Sequence, residues 1–321
     1  MLKITRIYNQ NRFKIWKIAI IVIFIIAIIQ LYNDSYLMDG DKKIVSVEEN
    51  SPQFDIVDYE KASNSIVSNG VVQKEVRDEI QKVLENFLVF CCNGQVEEAY
   101  GLLTDNCKEI LYPTSEIFNE KYCKNLYENK KTYSFQSWST ENYNYVYLVK
   151  IFEDMLSSGR DNTKNYIQDY ITVVRQDGEY LLNINKFINV KRINRQAESQ
   201  DVKIKVINSQ VYMDYEIYEI EVKNNRDKDI ILDPVKEDDS TYILNQDLVK
   251  IRALLYENKQ EDFRVAPGET KKISIKFNNT FIASNYVNKL VFANVIIDEE
   301  KYDKDSKNKE AIMQLEVNVK V

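Results

Sequence analysis

The sequence contains no histidine. That removes the side chain most often used as a general base near neutral pH, the usual partner of a serine or cysteine nucleophile, and the commonest zinc ligand. Hydrolase and metalloenzyme readings lose their main supports. Glycine and proline are scarce, at 7 and 4 in 321 residues, so collagen-like and proline-rich segments are excluded. No small-x-small cleavage motif and no lipobox cysteine follows the apolar run near the N-terminus, where the chain reads Ile-Ile-Gln-Leu-Tyr-Asn-Asp-Ser-Tyr. A lipoprotein is thereby disfavoured, and a retained anchor is favoured over a cleaved signal peptide.

Hydrophobic residues make up 44% and charged residues 29%, with 22 Tyr and 13 Phe. This is the composition of a folded protein, with apolar side chains enough for two modest cores behind an anchor. The abundance of Ile, Lys, Asn and Tyr is that of an AT-rich coding sequence and points to a bacterium of low GC content.

Every residue from Ile18 to Ile29 is apolar, and Ile15, Trp16, Leu31 and Tyr32 extend the run, interrupted only by Lys17 and Gln30. A stretch of that length nearly matches the roughly 20 residues that a membrane span needs. Trp16 and Tyr32 stand where interfacial aromatics are expected, and Lys17 can snorkel. Lys3, Arg6, Arg12, Lys14 and Lys17 lie before the apolar core, whereas Asp34, Asp39, Asp41, Glu48 and Glu49 follow it. The positive-inside rule puts residues 1–14 in the cytoplasm, the transmembrane anchor at 15–32, and everything after it outside. The exported part holds 38 basic and 50 acidic residues, a net charge of about −12, and no basic stripe offsets it. A nucleic-acid partner is therefore not expected.

Residues 33–70 are polar and acidic and read as a stalk. From Val72 the apolar positions Val76, Ile80, Val83, Leu84, Phe87 and Leu88 recur at steps of three and four, which predicts one long amphipathic helix ending at Asn93-Gly94. Shorter helices are expected at Val96 to Leu103 and Ser115 to Lys124. Strands are expected at Thr132 to Ser139, Tyr143 to Phe152, Tyr166 to Arg175 and Glu179 to Val190, with Asp177-Gly178 as a tight hairpin turn. Helices followed by a meander of long strands imply an α+β domain over 71–195, with helices on a curved antiparallel sheet. After a polar link at Gln196 to Gln200, residues 200–321 read as strands alone. They include Lys203 to Ile207, Tyr218 to Val222, Ile230 to Leu232, Val249 to Tyr256, Lys272 to Phe277, Val287 to Ile297 and Ile312 to Val321, and they predict an antiparallel sandwich.

The segment Gly94-Gln95-Val96-Glu97-Glu98-Ala99-Tyr100-Gly101-Leu102-Leu103, after a long helix and before the strands, resembles the cone-shaped fold of nuclear transport factor two and its relatives over about residues 72 to 195. Enzymes of that superfamily usually carry a catalytic Asp or His in the cone; with no His and no recognisable dyad here, no catalytic residue carries across. The order Glu-Val-Lys-Asn-Asn-Arg-Asp-Lys-Asp-Ile, then Pro-Gly-Glu, then Lys-Ile-Ser-Ile-Lys-Phe resembles the immunoglobulin-like modules of bacterial envelope proteins, without the Cys-Trp-Cys core of antibody domains. A cone behind one N-terminal span also resembles the scaffold subunits of bacterial conjugative transfer and secretion machines, although those carry a second cone where this chain has a sandwich.

Candidate chemistry is sparse. Cys91, Cys92, Cys107 and Cys123 all lie in the first domain, either as buried thiols or in at least one disulfide; a bond from Cys91 or Cys92 to Cys107 would tie the first helix to the second. Their spacing is not that of a zinc site. The acidic runs Glu237-Asp238-Asp239 and Asp298-Glu299-Glu300, with Asp303 and Asp305, lack the ligand order of a calcium loop and read as solvated surface. Asn278-Asn279-Thr280 matches a glycosylation sequon, idle in a bacterium. Tyr143, Tyr145 and Tyr147 alternate on one sheet face and read as core before they read as a ligand-lined cone. These residues predict no catalytic site, metal or cofactor. They fit a binding or assembly protein with a protein partner or a second copy, and the alternative is a small-molecule sensor or enzyme using the cone as its pocket.

Overall fold

The computed structural model describes residues 43–45, 54–58, 73–126, 131–141, 144–153, 166–235, 240–255, 258–282 and 285–320. Among these no helix is long and apolar enough to cross a membrane; the anchor expected at 15–32 lies outside them.

Helix α1 spans Lys74–Cys92 and buries Ile80, Leu84, Phe87, Leu88 and Cys91, the face that the three and four residue spacing marks as apolar. Three short helices follow: α2 at Val96–Gly101, α3 at Asp105–Leu111 and α4 at Ser115–Lys121, with a 3₁₀ turn at Cys123–Leu126. Helix α3 was not anticipated from the sequence. Its start is fixed by the Thr104 side chain, which accepts from the Cys107 N–H, and α4 is capped in the same way by Thr114.

These helices cover one face of a six-stranded sheet of order β1-β2-β3-β4-β5-β6. Strands β3 (Lys131–Glu141), β4 (Asn144–Glu153), β5 (Tyr166–Gln176) and β6 (Glu179–Asn183) form the expected antiparallel meander. Two short strands within the stretch read as a stalk, β1 (Lys43–Val45) and β2 (Phe54–Asp58), extend it, with β2 parallel to β3.

The strand expected at Glu179 to Val190 is two strands. Asn185 and Lys186 take φ of 57° and 64°, left-handed values that no strand tolerates, and the chain turns there into β7 (Phe187–Ser199). The polar stretch Gln196 to Gln200, expected as a link, is the end of β7 and its turn. Residues Gln196 to Ser199 pair with β8 (Val202–Tyr212), and Gln200 and Asp201, with φ of 47° and 63°, make a two-residue hairpin.

The second half is an antiparallel sandwich. One sheet has the order β14-β9-β8-β7, with β9 at Glu216–Asn224 and β14 at Thr270–Phe277. The facing sheet has the order β12-β11-β15-β10-β13, with β16 (Ile312–Asn318) on the other side of β15 (Val287–Ile296). Its remaining strands are β10 (Ile230–Ile231), β11 (Thr241–Asn245), β12 (Lys250–Arg252) and β13 (Arg264–Val265). The alternation in β9, where Tyr218, Ile220 and Val222 are buried between half-buried or exposed neighbours, is the pattern of a sheet with one face on a core. The chain is thus α+β, dominated by antiparallel sheet, with a sandwich as its second part.

Strand β7 belongs to both parts. Phe187 lies in the core under the helices, Ile193 in the core of the sandwich, and Ile188, with Val146, Val211 and Met213, in a small apolar cluster between them. The β8–β9 hairpin reaches back the same way. Tyr212 packs its ring on Phe187 at 5.3 Å, and the Met213 N–H donates to the Lys186 carbonyl at 2.8 Å.

Candidate functional site: a buried carboxylate beneath a tyrosine cluster

Aromatic side chains fill the core between the helices and the first sheet. Phe118 of α4 lies at the centre, 6.1 Å from Phe87, 5.8 Å from Tyr100, 5.4 Å edge-on to Tyr112 and 5.9 Å stacked against Tyr122. Tyr133 and Tyr147 close the sheet side of the same core. Such contacts add to burial because the positive ring edge meets a negative face.

Beneath the rings lies Asp169, in the interior of β5 and 5% exposed. Its Oδ2 accepts from the Tyr122 hydroxyl at 2.8 Å and from the Asn185 N–H at 2.8 Å, and its Oδ1 from the Lys186 N–H at 2.9 Å. Burial pushes the carboxyl above its ordinary range, and these donors offset part of that cost. The same carboxylate, with burial as the larger cause, holds the Tyr122 phenol well above its usual value. Asp169 therefore binds the two consecutive N–H groups of the left-handed turn from which β7 departs. Beside it, the Thr104 hydroxyl donates to Asn183 Oδ1, and the Asn183 amide donates to the Ile188 carbonyl at 2.6 Å.

The Cys107 thiol, buried in the same core, is pushed up to about 12 by loss of solvation. It is a neutral thiol under physiological conditions and a poor nucleophile. Cys91 forms a disulfide with Cys123, Cα atoms 5.0 Å apart, joining the end of α1 to the 3₁₀ turn after α4. Of the two alternatives open in the sequence the structure has one disulfide, and the partner of Cys91 is Cys123, while Cys107 is a buried thiol in the core that holds Tyr112. Cys92, on the next position of α1, is half-buried.

At the rim, the Lys186 ammonium meets Asp214 at 2.7 Å, Tyr215 stacks on Tyr212 at 4.4 Å, and the Lys276 ammonium stands 3.8 Å from the Tyr215 ring centre. A second buried carboxylate closes the near end of the sandwich. Glu216 accepts from Tyr218 at 2.8 Å, Asn279 at 2.9 Å and Ser209 at 3.2 Å. Both carboxyl groups are held by neutral donors, Asp169 by two backbone N–H groups and the Tyr122 hydroxyl, Glu216 by side chains alone.

Of the residues singled out in the sequence, Cys91, Cys107, Cys123 and Tyr147 lie in this core and the others do not. Tyr147 is core and Tyr145 half-buried against Tyr180 at 6.4 Å, while Tyr143 and the run Glu237-Asp238-Asp239 lie outside the described residues. Asp298 caps α5 (Glu299–Lys304) by accepting from the Lys301 N–H, and Glu299 binds Arg264 through two 2.8 Å contacts. Among the described residues no group of three or more Cys, Asp or Glu is disposed to hold a metal ion. Asn278 is exposed, whereas Asn279 is buried against Glu216. What sequence reasoning missed was Asp169 itself. Its signal was an acid in the middle of a strand, Tyr-Ile-Gln-Asp-Tyr-Ile-Thr-Val-Val, where acids are depleted.

No known family matches the sequence, and no curated protein is detectably similar to it. A solved structure described as a functionally unknown protein from Listeria monocytogenes EGD-e is similar over 41% of this chain and 85% of its own, at 10% identity and a TM-score of 0.29.

Proposed function

We propose that this chain is a membrane-anchored, extracytoplasmic binding or assembly protein that performs no chemistry of its own, serving as a scaffold in a cell-envelope or transfer machine. In this reading residues 15–32 span the membrane and 1–14 stay in the cytoplasm. The α+β part is a cone like that of nuclear transport factor two, and the sandwich is an immunoglobulin-like module. The observation that carries it is the aromatic packing between the helices and the first sheet. A cone that receives a small molecule leaves its interior open, and the mutual packing of Phe87, Phe118, Tyr112 and Tyr122 beneath the helices supports the reading without such a ligand. The disulfide between Cys91 and Cys123 supports a place outside the reducing cytoplasm. The basic flank before the apolar run supports the orientation.

The experiment is protease treatment and chemical crosslinking of the intact chain in wall-stripped cells. Expected are digestion of everything beyond the anchor and discrete crosslinked species. Recovery of the native chain as a cytosolic soluble protein, or a strictly monomeric membrane species, overturns the proposal.

A further inference from the structure

The outer face of the first sheet, turned away from the helices, is covered over part of its length. Val146 of β4 and Thr172 of β5 are fully buried where the second part packs, Val146 against Ile188, Val211 and Met213. Two rows toward the other end of these strands stay open: Lys150 beside Gln168, and Phe152 beside Tyr166. Tyr166 is 43% exposed, Gln168 is exposed, and Lys150 and Phe152 are half-buried. Ile167, next in β5, falls on the helix face by strand alternation and is no part of this surface.

The rings of Phe152 and Tyr166 pack 5.4 Å apart, and the Lys150 ammonium lies 5.1 Å from the Tyr166 ring centre. This is the chemistry of a bilayer interface. A phenol ring keeps its apolar body toward lipid and its hydroxyl among the headgroups, and an ammonium on an apolar stem meets phosphate. Lys150 is the charged side chain of the two open rows. Beside Tyr170, the next aromatic toward the seam, Lys186 and Asp214 neutralise each other at 2.7 Å.

Position in the chain names the occupant. The row of Phe152 and Tyr166 continues through Thr132 of β3 to Asp55 of β2, so Tyr166 stands three strand spacings, about 14 Å, from the strand pair by which the chain enters the sheet. Between the anchor at 15–32 and β1, which begins at Lys43, lie residues 33–42. A segment of that length reaches at most about 36 Å, roughly the diameter of a 100-residue domain. The open rows are therefore held within one domain width of the lipid headgroups, at an effective concentration of roughly millimolar order, and a weak surface contact is enough to be populated.

We propose that the end of the first sheet bearing Lys150, Phe152 and Tyr166 rests on the outer leaflet of the membrane that anchors the chain, with its rings at headgroup level and Lys150 against lipid phosphate. This deepens the reading above, on whose anchor it rests, by naming a lipid surface as a partner of the folded part. Contact there sets how the first part is tilted on the membrane.

The test uses the full-length chain, carrying Cys92→Ser, in vesicles of phosphatidylcholine with roughly one third phosphatidylglycerol and a nitroxide lipid labelled at its headgroup. A fluorophore is attached through Gln168→Cys, beside the contact, or through Glu198→Cys, exposed near the far end of β7. Expected is strong quenching at 168 and little at 198. Tyr166→Ser, which removes an exposed ring and leaves the fold intact, should lower the lipid-facing population at 168 by roughly tenfold. Lys150→Glu should lower it too, and by less in vesicles of phosphatidylcholine alone. Equal quenching at the two positions, or quenching at 168 that Tyr166→Ser leaves unchanged, overturns the contact. So does a label at 168 that is shielded from water without being quenched, since a protein would then cover the face. Flotation separates this failure from that of the anchor. A chain that floats with the vesicles while 168 stays unquenched leaves the anchored reading standing, and a chain that does not float takes both down.

Discussion

A single carboxylate sets the path of the chain between the two parts. Asp169 satisfies the N–H groups of Asn185 and Lys186 and takes the Tyr122 hydroxyl, so replacing it with Asn leaves one backbone donor facing an amide that cannot accept from it. Asp169→Asn should cost about 2 to 4 kcal/mol, read as a lower unfolding midpoint in denaturant. The dependence on pH has a definite sign. The folded-state value of Asp169 is raised by burial, so the native chain binds its proton more readily than the unfolded chain. Its contribution to stability is complete below the ordinary Asp value of about 3.9 and is lost as pH rises through the raised folded value. The stability difference between the parent and Asp169→Asn should therefore shrink over that window. A difference that grows with pH would show that the donors outweigh burial. The sequence marked Asp169 only as an acid out of place in a strand; its role was not legible, because only the fold brings Tyr122, 47 residues earlier, onto it.

At the scale of elements, periodicity read long segments well and left turns ambiguous. Helix α1 and strands β3, β4 and β5 fall where spacing and β-rich composition put them, since each carries an apolar face long enough to be seen. The Asp177-Gly178 turn was legible because glycine accepts a positive φ, here 92°. Gln200-Asp201 makes the same kind of turn without a glycine, so the chain around it read as a link. Replacing the pair with Asn-Gly should stabilise the protein by about 1 kcal/mol, measured by thermal or denaturant unfolding; no gain would mean that the flanking strands alone dictate the turn. The disulfide acts on the same scale. It closes a loop of 32 residues that holds α2, α3 and α4 against the sheet. Cys123→Ser should cost about 3 to 4 kcal/mol if the entropy of that loop governs the effect. Cys107 should stay unreactive toward alkylating reagents in the folded oxidised protein, because its thiol is buried and neutral. Rapid modification of Cys107 without denaturant would contradict that packing.

For the whole molecule the question is whether the two parts behave as one body. Two domains on a polar link unfold independently, each with its own midpoint, and that is what the sequence alone suggested for Gln196 to Gln200. The structure replaces the link with a strand that carries Phe187 into one core and Ile193 into the other, and adds a hairpin that returns Tyr212 to the first. Opening either part alone then strips Tyr212 from Phe187, exposes Ile188, Val211 and Met213, and breaks the Lys186–Asp214 pair. Shared burial of this kind makes partial unfolding costly and the transition cooperative. Calorimetry should give a single peak with calorimetric and van't Hoff enthalpies equal. Tyr212→Ala, which removes a buried ring from the seam, should cost about 3 to 5 kcal/mol and lower the midpoint of that single peak. Resolution of the variant into two peaks, one unmoved, would locate the coupling in Tyr212; two peaks in the parent protein would show that β7 runs through both cores without joining them energetically.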